Sequence, residues 1–260
     1  MIRRKYNTMY FYFGVLIIWQ LVYHLGVNVF EIWKGYSFPN PAAVLNSLFH
    51  LSKEGVLLQA ILCSLRRATW GYIFALSIGV AIGILMEINA YLKRSILPIL
   101  IGGQSIPSIC WVPFAILWFG LQESAIIFVV FMGSVFSVIL SINNAIEEVP
   151  NIYTKVAKTM GASRRNILVR VILPAACPSF VSGLKQSWSF AWRALMSGEV
   201  LYSCSGLGYT LIMGRELADI NQVMAVMIVI IFVGMLIDKL IFSNILCILL
   251  KKRGLSETRK

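Results

Sequence analysis

Charge is scarce in this sequence. Only 13% of its 260 residues are Asp, Glu, Lys or Arg, against about 25% in soluble globular chains. Acidic groups are scarcest: 11 Asp and Glu stand against 23 Lys and Arg, for a formal charge of +12. With 58% hydrophobic residues and a mean hydropathy of +0.79, an ordinary water-soluble domain is excluded, because the chain has too little polar surface to cover its apolar surface. A pI near 9.7 commonly points to nucleic acid. Here the cations are grouped between long apolar runs, which is the pattern of a membrane chain with basic cytoplasmic loops, so no nucleic-acid partner is expected.

Metal and redox chemistry lack their residues too. The five cysteines (Cys63, Cys110, Cys177, Cys204 and Cys247) form no CxxC pair, and His24 and His50 lie far from them in sequence, so no metal site and no cofactor is expected. No GxxxxGK[ST] motif occurs, and no Gly-Lys pair at all; GxSxG and HExxH are equally missing. If ATP drives anything here, its site belongs to another subunit. The run Tyr10–Phe30 is about 30 Å long as a helix and is followed by no small-residue cleavage site, so it reads as a membrane span and not as a signal peptide.

What is present is a series of apolar segments: Tyr10–Phe30, Ala68–Glu87, Ile96–Phe119, Ala125–Ile146, Pro178–Val200 and Val223–Leu250. The fold class is therefore all-α, a polytopic membrane protein of six transmembrane helices. Between the first two spans, Pro39 and Pro41 interrupt any helix, and Ala42–Glu54 has helical periodicity over too short and polar a run to cross, so it reads as an interfacial or external helix. With a cytoplasmic N-terminus, six crossings return the C-terminus to the cytoplasm. The inner basic groups are then Arg3, Arg4, Lys5, Lys93, Arg94, Lys155, Lys158, Arg164, Arg165, Arg170 and the tail Lys251, Lys252, Arg253, Arg259 and Lys260, fifteen of the 23. Crossing number and basic bias agree on N-in/C-in. Arg66 and Arg67 are expected at the outer interface as snorkelling anchors.

Two constellations stand out. In the loop after the fourth span, Pro150–Met160 reads as a short helix closed by Gly161 in the left-handed conformation, and Ser163 as the N-cap of a second short helix that Pro174 stops. This helix–turn–helix either docks a partner or lies as a basic loop on anionic lipid headgroups. In the fifth span, Ser182, Lys185, Gln186, Ser189, Arg193 and Ser197 fall within about a third of the helix circumference at 100° per residue. Lipid does not solvate such a stripe. It lines an anion-permeable path, with Arg193 its deepest cation, or it makes a structural contact such as Arg193 to Glu199. Gln104, Ser105 and Ser108 beside Pro107, at a broken point of the third span, would form a second wall of that path, or Pro107 is simply a kink used for packing.

The spacing of Ala157, Gly161, Val171, Leu173 and Pro174 resembles the EAA loop of binding-protein-dependent ABC transporter permeases. Over roughly residues 60–250 the chain is similar to the nitrate/sulfonate/taurine branch, through Ser64-Leu65-Arg66-Arg67, Ser105-Ile106-Pro107, Trp118-Phe119-Gly120-Leu121, Glu199 and Ser205-Gly206-Leu207-Gly208-Tyr209. Lys155-Val156-Ala157 stands where that family usually has Glu-Ala-Ala, reversing the first charge. The resemblance implies a bacterial inner-membrane permease subunit without catalytic residues. It would couple through Lys155, Val156, Ala157, Gly161, Ala162, Ser163, Leu173 and Pro174 to cytoplasmic ATPase subunits, receive solute from an external binding protein and pair with a second permease copy. The substrate path would comprise Gln104, Ser105, Pro107, Lys185, Gln186, Ser189, Arg193 and Glu199, for a small anion such as nitrate, an alkanesulfonate or taurine. The implied organisation is an N-terminal helix and external segment over 1–60, a permease core over 61–250 with its coupling loop at 147–174, and a basic tail over 251–260. The competing class is a secondary transporter or channel driven by an ion gradient, for which Glu199 and Asp238 are the candidate coupling acids.

Overall fold

The computed structural model describes residues 2–202 and 204–252, so Ser203 and the tail cations Arg253, Arg259 and Lys260 lie outside the described residues. Twelve α-helices follow in order: α1 (Ile2–Tyr23), α2 (Pro41–Lys53), α3 (Val56–Ile88), α4 (Ala90–Gln104), α5 (Val112–Phe119), α6 (Glu123–Glu147), α7 (Asn151–Thr159), α8 (Arg164–Ile167), α9 (Leu173–Leu201), α10 (Leu207–Glu216), α11 (Ile220–Ile237) and α12 (Asn244–Lys252). No strand occurs among the described residues. Five helical stretches are long and apolar enough to cross a bilayer: Tyr10–Val29, Val56–Ile88, Glu123–Glu147, Arg165–Leu201 and Ile220–Lys251. The pair Ala90–Gln104 and Ser108–Phe119, where the sequence places the third span, is bent by 100° at its break and is either a broken sixth span or a re-entrant loop. The all-α reading stands, and the break falls where Pro107 forbids a continuing helix.

Three boundaries differ from the sequence reading. α3 begins twelve residues before Ala68, because the apolar run from Val56 to Cys63 continues straight through Arg66 and Arg67. Pro174 does not end the second short helix. A π-helical turn over Leu168–Ile172 has already interrupted the ordinary ladder there, and Pro174 falls in the first turn of α9, where its missing N–H costs little. The fifth span therefore starts well before Pro178, which lies inside α9.

The chain groups into two compact units. One comprises residues 1–63 and 205–232. Its α2 is started by Asn40, whose side chain accepts the Ala42 N–H at 3.0 Å ahead of Pro41 at the first helical position. The Asn40 N–H donates to Asn221 Oδ1 at 2.9 Å, and Trp19 Nε1 donates to the Pro39 carbonyl at 3.1 Å. The helix expected over 42–54 is thus present, and the chain entering it is tied at Pro39 and Asn40.

The other unit comprises residues 64–204 and 233–260 and is built around α6, which buries Ser134, Ser137, Ser141 and Asn143 beside its apolar residues. Small residues let backbones meet there. A Cβ on Gly79 would lie 2.7 Å from Val138, and one on Gly183 would lie 2.5 Å from Ser141, so α3 and α9 both approach α6 at distances that only glycine permits.

Candidate functional site

Arg193 projects from α9 on the helix face that the polar stripe marked out. Its Nε donates to the Ser189 carbonyl at 3.3 Å, and its guanidinium lies 4.6 Å from the Phe190 ring centroid, a cation–π contact that orients the charge. It lines a cavity of about 350 Å³ with Gln104, Ser105, Pro107, Ser108 and Ser197, while Ser108 and Ser197 are hydrogen-bonded across it at 3.2 Å. The bent helix pair and the polar face of α9 therefore line one space, together with Met132, Gly133 and Phe136 of α6. That volume is at the small end of ligand pockets.

The rest of the stripe divides. Gln186 and Ser182 line a second cavity of about 300 Å³, to which Gln104 also contributes, together with Ser141, Asn144, Ser179 and Glu148. Lys185 turns away to Asp238, Nζ to Oδ2 at 2.9 Å. Ser189 is exposed and donates to the Lys185 carbonyl at 3.3 Å.

Glu199 is not brought to Arg193. It is fully buried and bound by Arg67 Nη1 at 2.9 Å and by Ser64 Oγ at 2.8 and 2.9 Å. Arg67, 1% exposed, reaches Glu123 Oε1 with its other terminal nitrogen at 2.9 Å, and Arg66 adds a 2.6 Å contact to Glu123. Arg67 is thus no snorkelling anchor: the helix Val56–Ile88 carries it inward, where two carboxylates neutralise it. Sequence reasoning missed this cluster. The available signal was that an Arg and a Glu, each in an apolar run, must find partners.

The loop between α6 and α9 has the predicted parts. The C-cap of α7 is Met160, followed by Gly161 at φ +77°. The Gly161 N–H donates to the Lys158 carbonyl at 2.9 Å and the Ala162 N–H to the Ala157 carbonyl at 3.0 Å, which together form a Schellman motif. Ser163 then caps α8: its Oγ accepts the Asn166 N–H at 3.4 Å and its carbonyl the Ile167 N–H at 2.9 Å. Ala157 and Ile167 are buried under the turn. Ile152, Tyr153, Val156 and Met160 fall within about 100° of one another around α7. All four are exposed, Met160 by 82%. That apolar ridge went unread in the sequence, where the basic residues of the loop dominate. Leu173 is exposed and Pro174 sits beside it at the start of α9.

A polar space between a bent helix pair and a long apolar helix, with a capped helix–turn–helix leading into that same helix, is an arrangement suited to a membrane transport subunit. Residues 75–246 match the family described as binding-protein-dependent transport system inner membrane component, and the chain belongs to it. A putative ABC transporter permease of Methanocaldococcus jannaschii is 30% identical over 86% of this chain and 84% of its own length. A putative aliphatic sulfonates transport permease of Bacillus subtilis is 29% identical, over 87% of this chain and 80% of that protein. A nitrate import permease of Leptolyngbya laminosa is 27% identical, over 92% and 86% respectively. The fold is that of a chain of a solved methionine ABC transporter, with a TM-score of 0.64 at 20% identity, covering 75% of this chain and 96% of that one. The protein is thus a multi-pass inner-membrane permease subunit of an ABC transporter. ATP is hydrolysed by a separate subunit, and a substrate-binding protein is the other partner of the system.

Proposed function

We propose that this permease forms half of an import path for a small anion, entered past Arg193 and driven through the loop at 147–174. The observation that carries the reading is the cavity of about 350 Å³ in which Arg193 is the one cation among neutral lining groups. Relatives named for sulfonates and for nitrate are consistent with an anionic cargo. The candidate coupling acids of the ion-gradient alternative are both ion-paired, Glu199 with Arg67 and Asp238 with Lys185 through Oδ2, which gives that alternative no support beyond their presence.

In this reading residues 61–250 form the permease core, and a second copy of the chain completes the path. Gln186, Ser189 and Arg193 are exposed on a single chain. A membrane-embedded arginine facing lipid costs about 2.5–3.5 kcal/mol even on the lenient insertion scale. Another protein surface covering that face removes the penalty. Lys155, Val156, Ala157, Gly161, Ala162, Ser163, Leu173 and Pro174 dock the ATPase, and the ridge Ile152, Tyr153, Val156 and Met160 supplies the apolar contact.

Both termini lie in the cytoplasm in this arrangement. Reporters active on one side of the membrane only, fused after Lys260 and within 42–54, should report opposite sides; an external C-terminus would overturn the orientation. For the path itself, Arg193→Ala should reduce uptake by at least tenfold at matched abundance in the membrane. Arg193→Lys should retain more, because the charge survives although the planar fork is lost. Equal uptake by wild type and Arg193→Ala would return Arg193 to a packing role on Phe190.

A further inference from the structure

The two polar cavities differ in charge, and the difference has a direction. The cavity beside Ser105 holds the cation Arg193. The cavity beside Ser182 holds neutral amides and hydroxyls and one carboxylate, Glu148, with no Lys or Arg among its described lining residues. Gln104 borders both. Along α9 the order is Ser182, Gln186, Arg193, so in the orientation proposed above the cationic cavity is the outer one and the Glu148 cavity the inner.

Glu148 is also distinct from its neighbour. Lys93 Nζ holds Glu147 Oε1 at 3.2 Å and Glu87 Oε1 at 2.8 Å, whereas Glu148 makes no ion pair among the described residues. The amide of Asn144 is set by its neighbour: Asn143 Nδ2 donates to its oxygen at 3.3 Å, which leaves the Asn144 NH2 group as a donor at the cavity that both Asn144 and Glu148 line. Neutral donors hold an anion weakly, and a nearby carboxylate repels it.

We propose that Glu148 is the release element of the path. Its charge makes the inner cavity hostile to anions, so that a cargo held at Arg193 is not retained once it has passed Gln104. The inference rests on the anion reading of the path, and it adds that selectivity and release are set by two different residues, one on α9 and one at the C-cap of α6.

The test needs no knowledge of the cargo. In the assembled transporter, with the native cysteines replaced, Ser105→Cys and Ser182→Cys each place one thiol in one cavity. The probes are a cationic (trimethylammonium) and an anionic (sulfonate) methanethiosulfonate, and the reading is the ratio of their modification rates. Ser105→Cys should favour the anionic reagent, and Arg193→Ala should remove that preference. Ser182→Cys should favour the cationic reagent, and Glu148→Gln should lower that ratio about fivefold, the size of effect a unit charge exerts across a partly hydrated cavity. Glu148→Gln should leave the Ser105→Cys ratio unchanged. A Ser182→Cys ratio indifferent to Glu148→Gln overturns the release role. A Ser105→Cys ratio indifferent to Arg193→Ala instead overturns the anion path, and the two failures are read at different thiols.

Discussion

Glu199→Ala should almost abolish accumulation of folded permease. The substitution leaves the Arg67 guanidinium 1% exposed and stripped of the carboxylate on Nη1, with only Glu123 still engaged. Removing one partner of a buried pair costs about 3–5 kcal/mol, a large share of the roughly 5–15 kcal/mol that holds a typical fold. The Ser64 hydroxyl loses both of its bonds to Glu199 in the same step. Arg67→Met should be similarly harmful, because Glu199, wholly buried, then loses the guanidinium that balances its charge. The double variant Arg67→Met with Glu199→Leu should recover much of the monodisperse protein, since well-packed apolar groups can replace a buried pair at little net cost. Size-exclusion profiles of the detergent-solubilised chain, with thermal midpoints, measure all three. Two single variants as stable as wild type would show that the cluster contributes little to folding. A double variant that folds but does not transport would show that the pair matters to the transport cycle and is not merely tolerated.

That cluster also marks the limit of what the sequence discloses. Apolar runs and prolines disclose the spans, because a bilayer demands long uninterrupted helices and proline breaks them at predictable places. The break at Pro107 is legible for that reason, and the cap at Ser163 because a serine after a glycine turn supplies an acceptor for the next helix's free N–H groups. The polar stripe on α9 was legible because helical periodicity puts Gln186 and Arg193 on one face whatever the fold does. What periodicity cannot supply is the partner. Lys185 shares the stripe, yet it leaves the path for Asp238, 53 residues on. Arg67 and Glu199 are 132 residues apart, and nothing local in either segment names the other. Pro174 misled for a related reason: proline stops a helix only if the ladder around it is intact, and here a π-helical turn precedes it.

Gly161→Val should abolish transport while leaving the membrane helices inserted and folded. Gly161 has φ +77°, in the left-handed region, where an L residue costs about 1–2 kcal/mol and a β-branched one more. A Cβ there would meet nothing within 4 Å, so the penalty is wholly backbone strain and the turn relieves it by giving up its angle. Relief breaks the Gly161-to-Lys158 and Ala162-to-Ala157 bonds that close α7, and it reorients the exposed ridge of Ile152, Tyr153, Val156 and Met160 relative to α8 and α9. None of the membrane packing around α6 depends on that angle. The variant should therefore reach wild-type abundance, lose co-purification of the ATPase or its stimulation by loaded binding protein, and show no uptake. Gly161→Asn is the decisive control, because asparagine tolerates the left-handed region and should keep most of the activity. Lys155→Glu restores the charge usual in the family and should be far milder than Gly161→Val, because it changes one exposed charge and leaves the backbone of the turn intact. If Gly161→Val keeps normal stimulated ATPase activity and uptake, the loop is not the coupling element. Its basic groups would then serve the lipid headgroups that the sequence alone allowed.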